Sequence, residues 1–322
     1  MKRLKRKSIS FIKIIHALSI KKFKAIRQIY RDTVIPVIIR NRAKTGILGI
    51  DIRNNHGIGS KLTWVLELLA FCEEKNLQLK VRFSYPKVHN DYFNLYFQLK
   101  NNFRSEAENN LIKYTVINTL SEVGFEKSYD KKFTLRTAVE LVRRHIALKG
   151  WVLKTVDDYD DKHFKGGKVL GLHYRGTDKR HEAEKIEFES VYRNILYYIE
   201  NYGMPDKLFV STDSQEFLKY ILKIHLPFPL LYREEDVRSM NDVAVHFGID
   251  TYEKAKIINE EALVNCLLLS RCSFLLKSSS FLSDWSKLFN PELKVTVLNK
   301  PFDWALWFPG RVLIENNAFT PL

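Results

Sequence analysis

A guanidinium and an ammonium four residues apart, Arg175 and Lys179, stand in the stretch His173-Tyr174-Arg175-Gly176-Thr177-Asp178-Lys179. The stretch follows the apolar run Lys168–His173, which reads as a strand. Arg175 therefore falls just past a carboxyl end, where open α/β sheets place their ligands. Its planar fork matches two oxygens of one phosphate, and Lys179 adds a point charge nearby. The chemistry indicated is the grip of an anionic, phosphate-bearing ligand. The plain alternative is a surface loop of mixed charge.

A second loop has the same flavour. Asn55-His56-Gly57-Ile58-Gly59-Ser60 lies between a strand and a helix. Gly57 and Gly59 would let the backbone approach a diphosphate, and the helix N-terminus would offer free N–H groups and a positive dipole. The dinucleotide fingerprint needs a third glycine where this chain has Leu62, and a nucleotide-triphosphate loop needs Ser or Thr after Lys61. A structural turn is the competing reading.

Further polar groups fall at other strand ends. Ser211-Thr212-Asp213-Ser214 closes one strand, and Asp213 would accept hydrogen bonds from a base or ribose, or merely cap the next helix. Ser278-Ser279-Ser280 opens another helix with three hydroxyls. Among the glutamates after Lys179, which include Glu182 and Glu184, one placed in a cleft with a raised pKa would serve as a general base. The Asp157–Asp161 run contains an Asp-x-Asp pattern but reads as a solvated linker, neutralised by Lys154, Lys162 and Lys165. No metal site is expected, and no Gly-x-Ser-x-Gly or His-Glu-x-x-His motif is present.

The elements that must carry these groups alternate. Strands are expected at Gly46–Ile52, Leu77–Phe83, Lys168–His173, Leu208–Ser211, Phe274–Leu276 and Leu293–Leu298. Helices are expected at Leu62–Phe71, Thr134–Leu148, Phe188–Glu200, Ser214–Ile224, Lys254–Ser270 and after Ser280. Arg233–Tyr252 is irregular and polar, a stretch that would order as a lid over a ligand. The economical architecture is two successive open α/β units with a cleft between them. The units are a first domain at 46–165 and a second at 166–300, with a tail at 301–322.

Of 322 residues, 52 are Lys or Arg and 37 are Asp or Glu, for a net charge of +15. Fourteen of the basic residues lie in residues 1–45 beside the single acid Asp32, so the remaining body is nearly neutral. A nucleic-acid enzyme would spread positive charge over a binding face, so nucleic acid is not an expected partner. The arm alternates basic and apolar residues and is expected to form an amphipathic helix, either lying on an anionic membrane surface or packed on its own domain. It is too short in apolar residues to span a membrane and has no small-residue cleavage site, which points to the cytoplasm. Three cysteines make no disulfide scaffold, in keeping with a reducing compartment.

Taken together, the glycine loop, HYRGTDK, Ser211–Ser214 and LLLSRCSFLLKSSSFLSDWSKLFNP resemble the α1,6-type fucosyltransferases, a superfamily that includes the N-glycan core and rhizobial nodulation enzymes. The similarity spans roughly residues 48–298. It implies a GT-B fold of two facing Rossmann-like domains, metal-independent and inverting, with GDP-fucose as donor substrate and no resident cofactor. By that resemblance Arg175 holds the β-phosphate, His173, Asp213 and Ser279 line the nucleotide with the neighbouring Ser278 and Ser280, and Gly57 and Gly59 face the diphosphate. Lys179 adds charge. The base of the family lies four residues past the lysine, where this chain has Ala183, so Glu182 is favoured and Glu184 flanks the point on the other side. Gly176 stands where many relatives carry a second arginine. The acceptor would be a glycan or a lipid-linked saccharide. A different nucleotide sugar, a catalytically silent nucleotide-binding module at the membrane, and a nicotinamide dehydrogenase are the competing readings.

Overall fold

The computed structural model describes residues 28–316 apart from 45, 101–111, 126–127, 177–181 and 241–242. The expectations for residues 1–27 and for Lys179 lie outside the described residues.

Two parallel sheets organise the chain. In the first, β1 (Ile47–Arg53) pairs with β2 (Gln78–Ser84) on one side and with β4 (Thr115–Ile117) on the other. In the second, the order is β10 (Lys294–Val297), β9 (Phe274–Lys277), β6 (Val169–Tyr174), β7 (Lys207–Thr212), β8 (Leu230–Leu231), all parallel. A short antiparallel pair, β3 (Phe97–Leu99) and β5 (Ile146–Leu148), stands apart. Every residue of β6 is buried, the continuous burial expected of a central parallel strand.

The strand order fixes where a ligand belongs. In each sheet the chain leaves a central strand to build one side and later returns to build the other. The crevice at such a reversal opens beyond the strands' carboxyl ends. The glycine loop follows β1, the centre of the first sheet, and Arg175 follows β6, whose neighbours β7 and β9 lie on opposite sides.

Helices cover the sheets: α1 (Ile35–Ala43), α2 (Ile58–Glu74), α3 (Leu135–His145), α4 (Gly150–His163), α5 (Phe188–Tyr202), α6 (Gln215–Lys223), α7 (Tyr252–Arg271), α8 (Phe281–Phe289) and α9 (Gly310–Glu315). Helix α2 packs against α8, and Gly59 makes this possible. A Cβ there would lie 2.9 Å from the Leu282 amide nitrogen and 3.0 Å from the Phe281 carbonyl carbon. Across the same seam the Trp285 indole donates to Thr63 Oγ1 at 3.0 Å. Tyr85 donates to Asn259 Oδ1 at 2.8 Å and Tyr96 to the Lys256 carbonyl at 2.8 Å, which ties the first sheet's loops to α7.

One expectation changes in the structure, and two others gain detail. The Asp157–Asp161 run is no linker but part of α4. Its acids pair with Lys154 and Lys165 and also with Arg271, at 2.7 Å to Asp157 and 3.2 Å to Asp160, while Tyr159 packs against Phe209. Charge density suggested solvation, but Val152 and Val156, four residues apart, give α4 a buried side. The described part of the stretch after residue 300 is anchored to the body. Arg311 donates to the carbonyls of Asp130 at 2.8 Å and Phe133 at 3.1 Å, and Phe308 is fully buried. In the basic arm, residues 30–43 are helical, and Ile35 and Ile39 are buried against the body. Arg31 pairs with Glu122 at 3.3 Å. That part packs on its own chain.

Candidate active site

One cavity of about 530 Å³ opens between the two sheets, lined by the start of α2, the loops after β6 and β7, the 233–252 segment and the first turn of α8. It gathers most of the residues the sequence singled out: Gly57, Gly59, His173, Arg175, Glu182, Asp213 and Ser280.

Arg175 is positioned from both sides of the strand reversal. Its backbone N–H donates to Ser278 Oγ at 2.7 Å, and the Ser278 amide donates to the His173 carbonyl at 2.9 Å, so the exits of β6 and β9 are tied together. Its Nε lies 3.2 Å from Asp213 Oδ2. The other oxygen of Asp213 accepts from the Gly176 amide at 3.0 Å. Asp213 is thus a brace for the arginine fork as well as a cavity residue. The helix cap allowed for it is supplied by Ser214, whose hydroxyl accepts from the Phe217 amide at 3.2 Å. The glycine at position 176 also has a local reason. A Cβ would meet the Tyr174 ring at 2.7 Å and Ser214 at 3.0 Å, so no arginine fits there with this loop path.

His173 is buried, and its Nδ1 has no hydrogen-bond partner among the described residues. Burial first, then the charges of Lys277 and Arg175, push its pKa well below the ordinary value, so the ring is neutral. Ser278 and Ser279 sit behind the cavity wall rather than on it. The Ser279 amide donates to Asn299 Oδ1 at 2.7 Å, while Ser280 begins α8 without a side-chain cap.

On the facing wall, α2 has Gly57 at its N-cap with no side-chain cap, and this uncapped end, Gly57 to Ser60, lines the cavity. An added Cβ on Gly57 would meet nothing within 4 Å, so this side of the loop is open. His56 lies beside it, with Nδ1 3.2 Å from Ser60 Oγ. The arrangement offers one cation and one helix N-terminus on opposite sides of a space large enough for a nucleotide, the requirements for holding a diphosphate. Among the described residues no group of His, Cys, Asp or Glu converges as a metal cage.

Four acidic wall residues went unnoticed in the sequence, Glu67, Asp130, Asp236 and Glu261. Glu67 on α2 is buried and accepts from the amides of Tyr129 and Asp130, each at 3.2 Å. Burial, with the Asp130 charge, raises its pKa to about 7. Glu261 on α7 accepts from the Val237 amide at 2.9 Å, and burial and Asp236 raise it to about 7. A signal existed for Glu67. Ser60, Thr63 and Glu67, at helical spacing, put a polar stripe on one face of a mostly apolar helix. Of the base candidates, Glu182 lines the cavity, whereas Glu184 is exposed and lends only its carbonyl, to Asn299 at 2.7 Å.

The raised carboxyls of Glu67 and Glu261 fix a pH dependence. Each holds its proton in the folded state between the ordinary glutamate range and about 7, where the unfolded chain has lost it. Their stabilisation is complete below about pH 4.5 and lost as pH rises through 7. Glu67→Gln should therefore flatten the fall in urea-unfolding stability between pH 5 and 7. An unchanged slope would show that Glu67 is charged in the folded protein throughout.

The described part of the 233–251 segment is largely irregular, with a short 3-10 turn at Val245–Gly248 and a bridge from Ser239 to Ser214, and its first part is pinned. Arg233 pairs with Glu235 at 2.8 Å and Asp236 at 3.4 Å, and Asn265 donates to Asp236 at 2.7 Å.

No protein-family model matches the sequence, and a search of curated proteins finds no match. Solved structures do match. A NodZ α-1,6-fucosyltransferase soaked with GDP-fucose aligns at TM-score 0.52 and 15% identity, over 76% of this chain and 92% of that one. Fucosyltransferase NodZ from Bradyrhizobium aligns at 0.47 and 16% identity, covering 76% and 93%. POFUT1 in complex with GDP aligns at 0.45 and 11% identity, covering 74% and 94%.

Proposed function

The chain has a fucosyltransferase-like GT-B fold; from that fold and its cavity we propose that it is a glycosyltransferase whose donor is GDP-fucose. The two sheets are then the cores of two facing Rossmann-like domains, and the cavity is the interdomain cleft. One observation carries the reading. Arg175, at the reversal of one sheet, and the open N-terminus of α2, at the reversal of the other, line the same cavity.

In the reaction, the bond between the anomeric carbon and the β-phosphate oxygen breaks, and GDP leaves with the electron pair. An acceptor hydroxyl attacks from the opposite face, which inverts the centre, and its proton passes to a carboxylate. Negative charge grows on the leaving diphosphate. Arg175, fixed by Asp213 and Ser278, meets it from one side and the first-turn amides of α2 from the other, without a metal ion. Glu182, on the cavity wall, takes the acceptor proton. His173 and Ser280 border the nucleotide. The acceptor is a glycan hydroxyl, free or lipid-linked. The reading includes a place on an anionic membrane face. It is supported by the basic residues of the arm and by the exposed stripe of Ile29, Tyr30, Val34 and Val37. Among the described residues no helix is long and apolar enough to cross a membrane.

Incubation of the purified protein with a panel of nucleotide sugars tests the proposal. GDP-fucose should be consumed and GDP released, at a rate EDTA leaves unchanged, and GDP should raise the melting temperature. Consumption of another nucleotide sugar instead would keep the enzyme class and replace the donor. Stabilisation by GDP with no turnover of any donor would leave only a nucleotide-binding module.

A further inference from the structure

Beside the cavity the chain displays aromatic rings that its core does not use. Residues 301–309 are held firmly. The Phe302 amide donates to the Glu182 carbonyl at 2.8 Å, Ala183 bridges to Pro301, and Ala305 and Phe308 are buried. Between these anchors two indoles point outward, Trp304 at 62% exposure and Trp307 at 39%. Packing demands neither, because the buried positions are already filled by their neighbours. A surface segment that spends its backbone hydrogen bonds to hold large rings in water is built to meet something.

The rings form a row. Phe281, on the cavity wall, lies nearly parallel to Trp307 (13°, centroids 6.1 Å apart). Trp307 meets Trp304 edge-on at 80° and 6.1 Å, and Trp304 runs on to Phe302 at 6.5 Å. The row starts at the cavity and leads away from it, past the backbone of Glu182. Trp64 and Phe247, the latter 54% exposed, also line the cavity. The lining is therefore partly aromatic, and charged where Arg175 and Asp213 stand.

We infer that this row is the acceptor platform, taking pyranose rings of a glycan. The inference rests on the glycosyltransferase reading of the cavity and names the acceptor's docking site. A pyranose has one face of C–H bonds, which covers an aromatic face well, and a rim of hydroxyls that needs polar partners. Those partners are present: Lys300 and Asp303 pair at 3.5 Å beside Trp304, and Glu182 lines the cavity end of the row. The same pairing disfavours an anionic membrane here, since the Lys300 charge is already matched. A chain of sugars laid along the row would bring its end to the cavity that holds the donor.

The test uses Trp304, the ring furthest into solvent, with the full-length protein and α- and β-linked tetrasaccharides of glucose, galactose and N-acetylglucosamine, each free and coupled to a polyprenyl lipid. Trp304→Ala should raise the acceptor KM at least tenfold for the tetrasaccharide that accepts sugar, while kcat at saturation and GDP affinity hold. Trp304→Tyr should recover most of the loss. A preference for the lipid-coupled form that survives in Trp304→Ala would place lipid recognition elsewhere and leave the platform for the sugar. An unchanged acceptor KM in Trp304→Ala, tetrasaccharides that neither bind nor accept while GDP binds normally, or binding of Trp304 to phosphatidylglycerol vesicles in place of sugar would each overturn the inference. Loss of GDP binding by the unaltered protein would instead sink the underlying enzymatic reading.

Discussion

Arg175→Ala should lower sugar-transfer turnover by about 10²–10³, or roughly 3–4 kcal/mol of barrier, the cost of removing one well-placed donor to a developing charge. The size follows from how the side chain is held. Its backbone is fixed by Ser278 Oγ at 2.7 Å and its Nε by Asp213 at 3.2 Å, so the fork is set in place before the charge develops. Arg175→Lys should recover little, because a single ammonium cannot both keep the Asp213 contact and span two phosphate oxygens. Asp213→Asn should fall between, since it weakens the brace and leaves the cation. Steady-state kinetics with the consumed donor checks all three. Turnover in Arg175→Ala within a factor of two of the unaltered protein would remove the arginine from the reaction.

The largest effect on stability is expected at Lys277. Its ammonium is 2.5 Å from the Asp284 carboxylate, with 1% and 5% of the two side chains exposed. The pair joins the end of β9 to the first turn of α8, directly behind Ser278 and Ser280. Desolvating two charges costs nearly what their attraction returns, but removing one partner leaves the other buried without its nearest counter-charge. Lys277→Met should cost about 3–5 kcal/mol in urea unfolding. The double replacement Lys277→Met with Asp284→Leu should restore most of that loss, since an apolar pair of similar volume is often neutral. If the single variant loses less than about 1 kcal/mol, water reaches the pair and the account of this wall is wrong.

Much of the layout could be read before any coordinates. The strands at Gly46–Ile52, Leu77–Phe83, Lys168–His173 and Phe274–Leu276 are apolar runs, and each appears within about one residue of its expected place. Arg175 and the glycine loop were legible because carboxyl ends of parallel strands are where ligands go, and that rule needs only local sequence. What sequence could not show is how distant segments meet. Glu67 and Glu261 belong to helices from different sheets, and nothing local says that both border one cavity. The Arg311 anchor depends on carbonyls about 180 residues away. The acidic run on α4 misled for the opposite reason: its charge was local and evident, but its partner Arg271 lies more than a hundred residues on. Gly59 was read as a diphosphate contact; it lines the cavity, but it is also the point where α2 and α8 touch backbone to backbone.

Titration calorimetry of GDP and GMP against the unaltered protein and Arg175→Ala, all in EDTA, isolates the β-phosphate and the guanidinium together. The account predicts that the unaltered protein binds GDP at least tenfold more tightly than GMP and that the substitution erases the difference. Equal affinity for the two nucleotides, or a preference for GDP that needs a divalent ion, would contradict it.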